Sequence, residues 1–88
     1  MAQPSSNKKR LANAWNNYSR LSLDPINAHA IQRQETRRAF YVGAAALLDL
    51  IVQNMSPGEE PTPDDLAMMD DIKLEIDQFM LQLKAGRA

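Results

Sequence analysis

The chain has 88 residues, no cysteine, one histidine and a formal net charge of −1. That length gives one small domain, and the missing cysteines and second histidine exclude disulfides, thiolate zinc sites, a cysteine nucleophile and the ordinary two-histidine metal site. A core this small usually needs further support, and self-association is the remaining source.

The near-neutral balance hides an asymmetry. Residues 1–44 hold seven basic groups, Lys8, Lys9, Arg10, Arg20, Arg33, Arg37 and Arg38, against Asp24 and Glu35, a balance of +5. Residues 45–88 hold three basic groups against nine acidic ones, a balance of −6. Such a division marks either a basic arm for nucleic acid or two halves that attract each other. No run of about eighteen or more apolar residues occurs, so no membrane span is expected. MAQPSSNKKR lacks the apolar core of a secretory signal, and a soluble, cytoplasmic protein is expected.

In chain order, Leu11, Trp15 and Tyr18 fall at helical spacing and predict a short helix over about 7–21, with Ser5 or Ser6 as its cap. Lys8, Lys9 and Arg10 in its first turn oppose the helix dipole, and four asparagines lower its propensity. It is expected to order by docking its Trp15 face. Residues 1–6 read as a flexible N-terminus, and Ser22–Asp24 as a break.

Asp24 as N-cap and Pro25 at the first helical position then predict a long helix over 25–54. Its first half is mostly polar. Its second half carries two neighbouring apolar lines, Phe40-Ala44-Leu47-Ile51 and Tyr41-Ala45-Leu48-Val52-Met55, a face wide enough for more than one partner helix. Gly43 lies among small residues, and its cost inside a helix suggests close approach of another backbone or ring.

NMSPGEEP is a turn by composition. Thr62 as N-cap, Pro63, and Asp64 and Asp65 in the first turn resemble a capping box with aspartate in place of glutamate. Leu66, Met69, Ile72, Ile76, Phe79, Met80 and Leu83 continue at helical spacing, and Lys84, Gly86 and Arg87 close a helix over about 63–85. The expected fold is all-α: an antiparallel helical hairpin plus a short N-terminal helix in one domain over 7–88, completed into a bundle by dimerisation. In that hairpin Ile51 and Met55 would meet Leu66, Leu47 and Leu48 would meet Met69, and Ala44 would meet Ile72.

Little in the chain points to chemistry. Asp64, Asp65, Asp70, Asp71, Glu75 and Asp77 read as a solvated acidic face rather than a metal site, and SPGEEPTPDD lacks the ligand alternation of a calcium loop. His29 has no triad partner at useful spacing. No nucleophile, base and orienting group converge, so no enzyme and no cofactor are expected. The methionines read as filling for irregular core space. Arg33, Arg37 and Arg38 with Tyr41 form a basic-aromatic patch on one helix, an electrostatic footprint suited to a protein or, as the alternative, to nucleic acid.

The block Thr36-Arg37-Arg38-Ala39-Phe40-Tyr41-Val42-Gly43-Ala44, followed by a proline-containing acidic turn and a second amphipathic helix, resembles small accessory proteins of temperate phages and prophages. The resemblance covers about residues 34–85 and carries no assigned chemistry. It implies a non-enzymatic protein that binds a host protein and modulates it, a class that includes inhibitors of CRISPR and other defence systems. Trp15, Tyr18, Arg33, Arg37, Arg38 and Tyr41 are the expected contact residues in a homodimer acting on such a partner, joined by Asp70 and Asp71 if the partner is basic.

Overall fold

The computed structural model describes residues 8–88, so the expectations for 1–6 and for a Ser5 or Ser6 cap lie outside the described residues. Among the described residues every regular element is helical: α1 (Arg10–Tyr18), a π-helical turn (Ser19–Leu23), α2 (Ala30–Asn54) and α3 (Pro63–Lys84). The all-α expectation holds. Two compact units, Met1–Ala46 and Leu47–Ala88, divide the chain, and α2 begins in the first and ends in the second.

In the first unit α1 is shorter than the expected 7–21. Lys9 occupies the N-cap without a side-chain hydrogen bond, and the first turn holds no acid. After Tyr18 the helix widens, and the Asp24 amide donates to the Ser19 carbonyl at 2.9 Å, five residues back. The widening has a packing consequence. In an unbroken α-helix Leu23 would lie about 80° around the axis from Trp15; the π turn swings it back toward the Trp15 side. Trp15, Leu23 and Ala28 form the buried cluster, with 8%, 4% and 9% of their surface exposed, and Phe40 and Tyr41 pack against it. Tilted ring pairs at 5.6 Å (Trp15–Phe40) and 5.9 Å (Trp15–Tyr18) continue the packing, favourable beyond the area they bury.

The expected start of α2 at Asp24-Pro25 is corrected. Asp24 closes the π turn in right-handed helical conformation, and Asn27 adopts φ 52°, a left-handed geometry that stops helix propagation. Helix resumes only at Ala30. The intervening turn is held by one side chain. The Arg33 guanidinium donates to the Asp24 carboxylate (2.7 Å) and to the carbonyls of Ala28 (2.9 Å) and Leu23 (3.4 Å).

In the second unit the turn between α2 and α3 is organised by Asp65, which is 3% exposed. Its carboxylate accepts from the amides of Ser56 (2.7 Å) and Thr62 (2.9 Å), while its own amide donates to Thr62 Oγ1 (3.1 Å). The aspartate capping box expected at Thr62–Asp65 is present, and it reaches one step further, back to Ser56. At the other end the Arg87 and Gly86 amides donate to the Gln82 and Leu83 carbonyls, with Gly86 at φ 74°, a Schellman closure.

Two packing expectations are corrected. With Asp65 turned inward, the covered line on α3 is Asp65-Met68-Ile72, and Leu66, expected to face α2, is 57% exposed. The bond from the Ser56 amide to the Asp65 carboxylate sets that rotation, because it points the carboxylate at the turn. On α2, Phe40, Ala44 and Ile51 of the first apolar line are half-buried and Leu47 is exposed, while of the second line Tyr41 is half-buried and Ala45, Leu48, Val52 and Met55 are exposed. A methyl group placed on Gly43 would meet nothing within 4 Å, so no close approach explains that glycine.

Candidate functional site

The first unit carries an open groove of about 720 Å³ lined by Lys8, Lys9, Arg10, Leu11, Ala12, Arg37 and Tyr41. Lys8 and Lys9 just before α1 and Arg10, Leu11 and Ala12 in its first turn supply five of these residues, and one face of α2 supplies the other two. Tyr41 is the link to the core. Its ring stands edge-on to Phe40 at 5.6 Å, and the Arg37 guanidinium lies over it, 5.2 Å from the centroid. That stacking orients Arg37 without neutralising it.

Among the described residues no carboxylate lines the groove. The first unit contains only two, and both are engaged elsewhere: Asp24 with Arg33 at 2.7 Å, and Glu35 with Arg38 at 3.1 Å. The Glu35–Arg38 pair is exposed on both sides and contributes little to stability. The Asp24–Arg33 pair differs, because Arg33 also ties down two carbonyls of the turn.

The residues read from sequence as contacts are thereby separated. Trp15 is in the buried cluster. Tyr18 stacks on Trp15 but keeps an exposed edge. Arg33 is engaged with the turn, Arg38 with Glu35, and only Arg37 and Tyr41 face the groove together. Lys8, Lys9 and Arg10 complete that group. Their signal in the sequence was a cationic run placed where the helix dipole opposes it.

The second unit presents an apolar surface instead. From Lys73 to Ala88 every residue is exposed, although the segment carries Leu74, Ile76, Phe79, Met80, Leu81 and Leu83. Ile72, Ile76, Phe79 and Leu83 follow one side of α3. Leu74 lies about 200° around the helix from Ile72, and Leu81 lies on its side. The sequence signal for this second line was two leucines out of phase with the main stripe. Asp70 and Asp71 are exposed beside it. The Lys73 ammonium donates to Asp77 at 2.6 Å, which raises its pKa above the usual lysine value, with the nearby charge of Asp70 adding slightly.

Among the described residues no three His, Asp or Glu side chains are grouped to hold a metal ion, and no helix is long and apolar enough to cross a membrane. No family model, curated protein or solved structure matches the chain.

Proposed function

We propose that the protein is a non-catalytic binding module that pairs with a second copy of itself and, as a dimer, binds and modulates another protein. The observation that carries this reading is the distal half of α3, where six large apolar side chains are all exposed. A helical segment this short is marginal in water on propensity alone and draws its stability from packing of an apolar face. A helix apolar on two sides has room for two neighbours. In this reading the wider Ile76-Phe79-Leu83 side packs in an antiparallel bundle with the second copy. The Leu74-Leu81 line, rimmed by Asp70 and Asp71, remains for a target with a basic edge, the acidic rim raising association rate and selectivity. The phage-like block at Thr36–Ala44 supports a host protein as that target.

Light scattering over a concentration series tests the pairing. The mass is expected to reach that of a dimer in the wild type and to stay monomeric in Phe79→Asp and Leu83→Asp. A wild-type chain monomeric at every concentration overturns it. For the target, Leu74→Asp with Leu81→Asp is expected to abolish capture of a host protein while leaving the dimer mass intact; capture indifferent to both substitutions rejects that assignment.

A further inference from the structure

We propose that the groove between the start of α1 and α2 binds the phosphodiester backbone of a nucleic acid. This assignment concerns the first unit and does not rest on the pairing or target reading of α3.

Four cations line one open groove, Lys8, Lys9 and Arg10 at and just before the start of α1 and Arg37 on α2. The carboxylates that could neutralise them are held elsewhere, Asp24 by Arg33 and Glu35 by Arg38. The hydrogen-bonding character of the lining selects the ligand. Lysine and arginine side chains are donors only, and Leu11 and Ala12 contribute neither donor nor acceptor. Among the described residues, apart from the Tyr41 hydroxyl, no lining side chain accepts a hydrogen bond. A protein surface brings N–H donors alongside its carboxylates and leaves them unpaired here. A phosphodiester backbone brings acceptors and negative charge at every step, which matches a donor-only wall.

A local cost points the same way. Three cations at the start of α1, with no acid in the first turn and no side-chain cap, weaken the helix that carries Trp15. Violations of local preference concentrate where function demands them. Phosphate in the groove would offset the repulsion among these cations. Leu11, Ala12 and the Tyr41 edge offer sugars an apolar floor, so sequence-independent binding is expected.

The test is fluorescence anisotropy of the full chain with labelled 20-nucleotide single-stranded and duplex DNA between 50 and 200 mM salt. Four phosphate contacts give a slope of log K against log salt of about −2.8 for single strands and about −3.6 for duplex, or roughly 50- to 150-fold weakening across that range. Lys9→Gln and Arg37→Gln, each checked for unchanged helicity, are expected to flatten the slope by about one unit apiece. Arg20→Gln, whose guanidinium bonds Asn17 outside the groove, is expected to leave it unchanged. Three results overturn the proposal: no binding of either DNA at 50 mM salt, binding indifferent to both groove substitutions, or polyglutamate of matched charge binding as tightly as DNA.

Discussion

The two units reach order by opposite means. The first gathers four of the chain's five aromatic residues, Trp15, Tyr18, Phe40 and Tyr41, around a buried apolar cluster. The second buries no apolar residue; its one buried side chain is the Asp65 carboxylate. Apolar burial contributes roughly 25 cal/mol per Å², so the first unit has a larger internal source of stability than the second, where Ile51, Met68 and Ile72 are only half-buried. A satisfied carboxylate fixes the shape of a turn but adds little driving force. One unit is held from within, and the other presents the surface that needs covering.

The sharpest way to break this contrast is Trp15→Ala, which removes the largest member of the cluster. It is expected to cost about 3 kcal/mol and to melt α1 and the π turn, read by urea unfolding and circular dichroism. A loss below about 1 kcal/mol would mean the aromatic cluster does not hold the unit. Arg33→Gln comes next. It deprives Asp24 and two turn carbonyls of their shared donor, and a loss of about 1–2 kcal/mol is expected, discounted for partial exposure. An Arg33→Lys variant should recover only part of it, since an ammonium cannot present the same planar fork.

In the second unit the corresponding lever is pH. The Thr62 amide, followed by the Ser56 amide, holds the Asp65 carboxyl below its ordinary value of 3.8, and burial opposes this only in part. Because the folded-state pKa is lowered, the contribution is fully present above that ordinary value and is lost as pH falls through the folded one. Protection of the amides at the start of α3, taken relative to their intrinsic exchange rate, should therefore fall below about pH 4, and Asp65→Asn should lower it to the same extent at neutral pH. An exchange profile that Asp65→Asn leaves unchanged would contradict the role given to the carboxylate. The smallest effect is expected at Gly43. An added methyl meets no atom, so Gly43→Ala should raise stability by about 0.5–1 kcal/mol through helix propensity. Destabilisation instead would place a partner against that face of α2.

Local signals in the sequence carried much of this structure. Thr62, Pro63 and Asp65 marked the start of α3, and Gly86 its end, because capping is settled by neighbours in the chain. Asp24-Pro25 misled for the same reason. It has the form of a helix start, but Arg33, nine residues on, draws the aspartate into a turn, and Asn27 breaks the helix. The rotation of α3 was likewise hidden, since periodicity gives a stripe but not which edge of it faces inward; the bond from Ser56 to Asp65 decides that. Of the site, Arg37 and Tyr41 were legible as a basic-aromatic pair. Their union with Lys8, Lys9 and Arg10 depends on how α1 lies against α2, which no spacing along one helix encodes.

Hydrogen exchange, followed residue by residue over a range of protein concentrations, measures the contrast between the units most directly. Amides near Trp15 and Phe40 should be protected equally at every concentration, whereas those from Lys73 to Leu83 should exchange quickly when dilute and gain protection as copies associate. Strong, concentration-independent protection along Lys73–Leu83, equal to that at Trp15, would show that α3 is stable unaided and would contradict the account.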